Sequence, residues 1–289
     1  MKELVVISGK GGTGKTSITA AFAALAKNSV LADCDVDAAD LHLILSPEIK
    51  QTKDFYSGYE AIVKQDECVG CGVCINICRF EAIYKSNKGT YYIDILNCEG
   101  CGVCQYFCPV KAINLKERLC GKLYVSNTRF GPMVHAKLGI AAENSGKLVS
   151  MVRNTAKEIA KEKISDLLIV DGPPGIGCPV IASITGSDAV VIVTEPTLSG
   201  KHDLERVIEL TKHFKIPVFI CVNKWDINTE ITESIENGSV KNGATILGRI
   251  SYDREITMAQ IAGKSVIEWN KGIAQEEIKK IWKNLHSKI

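Results

Sequence analysis

The 289-residue chain has no excess of either charge: 35 lysines and arginines stand against 33 aspartates and glutamates, for a net charge of +2. Without a strong field of one sign it has no electrostatic footprint for nucleic acid or an anionic membrane surface, so no nucleic acid is expected as a partner. It also has no apolar run approaching a membrane span. The opening MKELVVISGK passes from a short apolar segment straight into glycines without a small-residue cleavage site, so the chain is expected to be cytoplasmic. In that setting 12 cysteines do not suggest the disulfide framework of a small secreted fold; they read as metal ligands or redox centres. Eight of them fall between 68 and 108, which marks a module within a chain long enough for one large α/β domain besides.

Residues 3–8, ELVVIS, form a continuous β-branched apolar run expected as a buried parallel strand, and the alanine-rich GKTSITAAFAALAK is expected as a helix. Between them Gly9, Lys10, Gly11, Gly12, Thr13, Gly14, Lys15 and Thr16 fit G-x-x-x-x-G-K-[ST], with Ser17 following. Glycines let backbone N–H groups wrap phosphates, Lys15 reaches the β/γ oxygens, and Thr16 offers a hydroxyl to magnesium. Further apolar segments, DLLIVDGPPG, AVVIVTEP and PVFICVNK, alternate with helical ones, among them SGKHDLERVIELTKHF with Ser199 as N-cap. That alternation predicts an α/β fold with a doubly wound, mostly parallel sheet and ligands at the carboxyl ends of its strands. At one such end VNKWD places Asn223 and Asp226; on residue pattern alone N-K-x-D is also how GTPases read guanine, so GTP stays open beside ATP.

Lys10 is a second lysine on the other side of the glycines, and with it the loop resembles the MinD/Mrp/ParA branch of P-loop ATPases, whose deviant Walker A loop reads K-G-G-x-G-K-[ST]. The resemblance implies ATP and ADP with Mg2+, and a dimer in which Lys10 contacts the nucleotide of the opposite subunit. It continues through VLADCDVDAADL, where it implies that Asp35 orients the attacking water and Asp33 helps hold magnesium through water. The same resemblance implies that Asp171 closes the Walker B strand, that Gly175 moves with the γ-phosphate and that Asn223 contacts adenine; the signature-lysine loop favours ATP over GTP.

ECVGCGVCINICRFEAIY and NCEGCGVCQYFCPVKAIN, beginning at 67 and 97, form an internal repeat. Each copy carries C-x2-C-x2-C-x3-C and resembles the bacterial two-cluster ferredoxins, in which three cysteines hold one [4Fe-4S] cluster and the fourth crosses to the other. The implied sets are Cys68, Cys71, Cys74 with Cys108, and Cys98, Cys101, Cys104 with Cys78, so that the halves must fold together around both clusters. Zinc suits this spacing poorly, since its sites usually set two C-x2-C pairs well apart. The first copy has Arg79 where the second has Pro109, a departure that touches cluster potential without removing a ligand. Cys34 and Cys221 lie in apolar strands and are expected as core residues, and Cys120 has no partner pattern. Cys178, beyond the Walker B strand, is expected as a packing residue; the resemblance to the nitrogenase iron protein, which holds an intersubunit cluster with a cysteine beyond switch II, implies the alternative of a cluster ligand.

The expected organisation is therefore a first ATPase segment at 1–54, an inserted two-cluster ferredoxin-like domain at 55–118, and a second ATPase segment at 119–289. Residues 127–147 are expected as a surface connection containing His135 and Arg129, with Ser145 capping the following helix. The last helix carries Ile278, Ile281, Trp282 and Leu285 on one face and is expected to pack on the sheet. The whole chain is similar to MinD-superfamily ATPases with an inserted ferredoxin domain. That resemblance implies an ATPase coupling nucleotide state to electron transfer, as a homodimer or with a paralogue, toward a redox protein or a metal-cofactor protein. An assembly or carrier ATPase for such cofactors, and a MinD-like positioning switch with structural clusters, are the competing expectations.

Overall fold

The computed structural model describes residues 1–139 and 145–289; residues 140–144 of the expected connection lie outside the described residues. It divides the chain into two compact units. The first comprises Met1–Lys53, Lys122–Lys137 and the described residues from 145 onward, and Asp54–Gly121 forms the bulk of the second.

In chain order the first unit begins with β1 (Lys2–Ser8), α1 (Lys15–Leu25), β2 (Ser29–Asp33) and α2 (Leu41–Leu45), and β3 (Glu48–Val63) carries the chain into the second. There follow α3 (Val73–Ile77), β4 (Ile83–Lys85), β5 (Tyr91–Ile93) and α4 (Val103–Tyr106), after which β6 (Ile113–Thr128) returns to the first unit. The remainder runs β7 (Gly131–Leu138), α5 (Ser145–Glu162), β8 (Leu167–Pro174), α6 (Cys178–Ile184), β9 (Ala189–Thr194), α7 (Leu198–His213) and β10 (Val218–Asn223). A 3-10 turn at Trp225–Ile227 leads to α8 (Thr229–Lys241), β11 (Thr245–Ile250), α9 (Arg254–Ile261), α10 (Val266–Trp269) and α11 (Ala274–His286). The sheet order is β11-β10-β9-β1-β8-β2-β7-β6-β3. From β11 to β7 the neighbouring strands pair in parallel.

Leu4, Val5, Val6 and Ile7 of the central strand are all fully buried, which is why its sequence is a continuous apolar run and not an alternating one. The register of β2 against β8 sets Asp33 beside Asp171 at the strand ends, so two strand-terminal carboxylates share one side of the sheet. The apolar face of α11 buries Ile278, Ile281 and Leu285, and Trp282 lies 5.1 Å from the ring of Phe22 in α1. Among the described residues no helix is long and apolar enough to cross a membrane.

Three local readings are corrected. The stretch expected as a surface connection contains β7: Met133 and Val134 are fully buried and Met133 pairs with Leu31, so apolar content outweighs the turn signal at Gly131-Pro132. Within it His135 is buried and hydrogen-bonded to Ser126 at 2.9 Å, while the Arg129 guanidinium holds the Ile44 and Leu45 carbonyls and Glu268; neither is a free surface group. Helix α7 is capped by Thr197, whose hydroxyl accepts from Gly200 N–H, two residues before the expected Ser199. Ser145 is itself the first helical residue of α5.

In the second unit the sequence repeat recurs in the backbone. Gly70 and Gly100, Gly72 and Gly102, and Glu81 and Lys111 form matched pairs with positive φ, at 67° and 62°, 79° and 77°, and 53° and 54°. Ala82 and Ala112 are equally buried, as are Ile83 and Ile113. The small core unites Ala61, Cys74, Ile83, Tyr91 and Ile113, with Cys68, Cys78, Cys98, Cys104 and Cys108 packed against it.

Candidate functional site

The phosphate loop is a left-handed turn at Gly12 and Gly14, φ 80° and 88°, from which α1 starts at Lys15. A side chain at Gly14 would also meet the Asn223 amide, since a Cβ there would sit 2.4 Å from Nδ2, so glycine is required twice over. Loop and strand ends enclose a cavity of about 430 Å³ lined by Gly11, Gly12, Thr13, Gly14, Lys15, Thr16 and Ser17, with Asp35, Asn223 and Lys224. Part of its wall comes from Ser251, Tyr252 and Asp253 after β11 and from Gln260 of α9, whose Nε2 donates to Ser17 Oγ at 2.6 Å.

On the cavity floor Lys15 Nζ donates to Asp171 Oδ1 at 2.9 Å and lies 3.4 Å from Asp35 Oδ2. Thr16 Oγ1 and Thr19 Oγ1 each donate to Asp171 at 2.8 Å. Burial opposes the Lys15 charge, but Asp171 and Asp35 outweigh it and raise its pKa. Asp33 is fully buried; burial first and then the Asp171 charge push its carboxyl well above the usual carboxylate range. Burial likewise raises Asp35. Asp33 Oδ1 accepts from Asp35 N–H at 3.2 Å, whereas its buried Oδ2 has no partner among the described residues. Three carboxylates around one ammonium, with an orphaned carboxylate oxygen, make a floor short of positive charge. The donor set fits Mg2+, which keeps several waters and takes one or two carboxylates plus phosphate oxygens. Among the described residues no three His, Cys, Asp or Glu side chains group tightly enough to hold a metal ion by themselves.

Gly9, Lys10, Gly175 and Asp226 do not line the cavity, whereas Asn223 does. Lys10 turns to its own chain: Nζ lies 2.7 Å from Glu195 Oε1 and donates to Thr197 and Ser199 hydroxyls at 3.2 Å. Gly9 lies where a Cβ would strike Asp203 at 2.6 Å. Gly175, φ 89°, donates its N–H to Ser8 O, joining the end of β8 to the end of β1. Asn223 is buried, with Nδ2 donating to Thr13 O at 2.8 Å. Asp226 is exposed and does not line the cavity; its Oδ1 accepts from Tyr252 N–H at 2.7 Å. Glu195 and Lys224 were not singled out by sequence, although TEP and N-K-x-D each placed a charged residue at a strand end. Glu195 bridges Lys10 and Lys224, the latter at 3.2 Å.

In the second unit the cysteines line two cavities in sets of four, and Cys101 and Cys108 also border an open hollow beside Tyr106 and Phe107. Cys68, Cys71, Cys74 and Cys108 line one; Cys78, Cys98, Cys101 and Cys104 line the other. Cys104 is pushed up to about 11 by burial first and then by the charges of Cys98 and Cys101, and burial also raises Cys74. Cys108 Sγ accepts from Ala112 N–H at 3.3 Å. The four thiols of each cavity, at tight left-handed glycine turns, fit a [4Fe-4S] cluster, which needs its thiolates spread around several irons. Cys221 is buried in β10 as expected, Cys34 is buried one residue beyond the end of β2, Cys120 is buried with Sγ donating to Ser57 O, and Cys178 is exposed.

A phosphate loop, strand-end carboxylates and parallel topology define a P-loop nucleotide-binding ATPase. The chain belongs to the CobQ/CobB/MinD/ParA nucleotide-binding family, whose domain matches residues 4–266. It is 32% identical over 287 residues to an uncharacterized protein of Methanocaldococcus jannaschii, covering 98% of this chain and 96% of the relative. To the septum site-determining protein MinD of Bacillus subtilis it is 22% identical over 285 residues, covering 91% and 81%. Among solved structures its fold matches MinD in the MinC:MinD cell division complex of Aquifex aeolicus, at 19% identity and TM-score 0.57 over 100% of this chain and 97% of that one. MinD with Mg-ADP from Pyrococcus horikoshii matches at 16% identity and TM-score 0.57, covering 98% and 95%.

Proposed function

We propose that this chain is an ATP-hydrolysing protein with two resident [4Fe-4S] clusters that couples nucleotide state to one-electron delivery to a protein partner, as a homodimer or with a paralogue. The observation that carries the reading is the division of eight cysteines between two cavities, each containing three from one repeat and the fourth from the other. The domains follow as an ATPase of 1–54 and 119–289 with a ferredoxin-like insertion at 55–118. Bound clusters would supply one-electron storage, and the two sets of four thiols would hold them.

On the nucleotide side the chain's own residues divide the work. The backbone N–H groups of the loop and Lys15 receive β/γ oxygens, and Lys15 leaves its carboxylates to do so; Thr16, with Asp33 and Asp171, faces the magnesium shell. The Mg-ADP of the Pyrococcus horikoshii relative supports the same ligand here. Asp35, at the cavity wall, orients the attacking water. Lys10 acts in trans, on the nucleotide of the facing subunit. Gly175, tethered at Ser8, is the point from which the segment after β8 moves when the γ-phosphate is lost. The insertion follows the Asp35–Asp40 segment in sequence, so γ-phosphate-dependent movement there precedes the clusters along the chain.

The MinD likeness also favours a second reading, a positioning switch in which clusters are structural. A cofactor carrier ranks lower, because crossed four-cysteine ligation resists release. Anaerobic reconstitution followed by iron and sulfide analysis, and ATPase assay of the reduced and oxidised protein, separates these. Eight irons per chain with redox-dependent ATPase supports electron transfer; redox-independent ATPase supports the switch; loss of clusters to an apo-client supports the carrier.

A further inference from the structure

The internal repeat allows the two cysteine cavities to be compared position by position. In the first, the residue after the crossing cysteine is Pro109, followed by Val110, and Val69 sits between the first two local cysteines; the rest of the lining is apolar apart from the cysteines and Tyr91. In the second, the corresponding positions are Arg79, Phe80 and Glu99. The paired positive φ values match between the halves; the linings differ in charge at these positions and in Tyr91, which lines only the first cavity. Arg79 lines this cavity and is exposed, with no ion pair to it among the described residues.

We infer that the two cavities hold clusters of unequal reduction potential, with the cluster of Cys98, Cys101, Cys104 and Cys78 taking the first electron, because Arg79 sets a cation beside an otherwise largely apolar lining, where the first cavity has Pro109. The inference rests on the two-cluster reading above. The step moves one electron from a low-potential protein reductant to an oxidised cluster, with no bond formed or broken and no proton taken up. Reduction adds one negative charge to the cluster and its thiolates; an apolar shell gives that charge nothing to interact with, whereas a fixed cation favours the reduced form. Glu99 acts in the opposite sense, so the site is tuned by a pair: Arg79 raises its potential and Glu99 moderates the rise. The electron then rests in the second half of the module and the first cluster is the stronger reductant.

The test is an EPR-monitored redox titration of the reconstituted full chain with dithionite, after iron analysis. The expected wild-type result is two separate midpoints. Arg79→Gln should lower the higher midpoint and leave the lower in place, shifting electron sharing between clusters by about tenfold, or about 59 mV for a one-electron couple. Glu99→Gln should move the same midpoint upward, which guards against a general effect of mutation. Coincident wild-type midpoints, or an Arg79→Gln protein with eight irons and unchanged potentials, overturn the inference and leave the two-cluster reading intact. Movement of the lower midpoint instead overturns the assignment of the first electron. Failure of the wild-type chain to take up eight irons overturns the two-cluster reading and this inference with it.

Discussion

Replacing Glu195 by Gln should tighten the nucleotide-dependent dimer. Glu195 holds Lys10 in cis: its carboxylate is 2.7 Å from Lys10 Nζ and 3.2 Å from Lys224 Nζ, and the side chains are 16%, 30% and 28% exposed. Burial works against the Glu195 charge, yet hydrogen bonds from Lys10 and Lys224 outweigh it and hold the carboxyl below its usual range. A partly exposed pair of this kind is worth about 1 kcal/mol. If Lys10 must leave Glu195 to reach the facing subunit's nucleotide, that cost falls on both protomers of a symmetric dimer, about 2 kcal/mol together. Glu195→Gln keeps the shape and removes the charge, so the dimer should tighten by about thirtyfold at about 1.4 kcal/mol per decade. Sedimentation equilibrium with Mg2+ and a non-hydrolysable ATP analogue measures this, with Lys10→Met as the variant expected to abolish the dimer. Unchanged or weaker association of a normally folded Glu195→Gln protein would refute the idea that the cis contact competes with a trans one.

The cavity and core yield three more expectations. Asp171→Asn removes the acceptor charge for Lys15, Thr16 and Thr19, and should abolish the Mg2+ dependence of nucleotide affinity; isothermal titration with and without EDTA reads it, and a retained Mg2+ effect counts against the assignment. Asp226→Ala should weaken ATP and GTP equally, because Asp226 fastens Tyr252 and does not line the cavity; a selective loss of GTP in competition binding would restore it as a base reader. His135 is lowered to about 4 by burial first and the nearby His42 second. The unfolded chain therefore binds a proton near the ordinary 6.5 while the folded one does not, so stability is complete above that pH and drains as pH falls toward 4, by at most about 3 kcal/mol. Denaturant titrations across that window should show a steeper loss for the wild type than for His135→Gln, and parallel curves would contradict it.

What sequence could and could not tell follows from the range of the interactions involved. The phosphate loop was legible because its chemistry is local: glycine at φ 80° and 88° and a lysine at the first helical position are encoded within a few consecutive residues. The grouping of the cysteines around two cavities was legible for a different reason, since the repeat supplied its own alignment. Lys10 shows the limit. Its motif marks it as special, but the partner that holds it, Glu195, lies in a strand end far along the chain and joins it only through parallel pairing of β1 with β9. The same holds for Asp226, where N-K-x-D reads as a base contact until the loop after β11 brings Tyr252 N–H to the carboxylate. β7 was missed because a Gly-Pro signal is local and strong while the reason for the strand, burial of Met133 against Leu31, is not. A motif thus names the chemistry available to a residue, and long-range pairing decides which partner uses it; for Lys10 and Glu195 that choice is between the chain itself and a facing subunit.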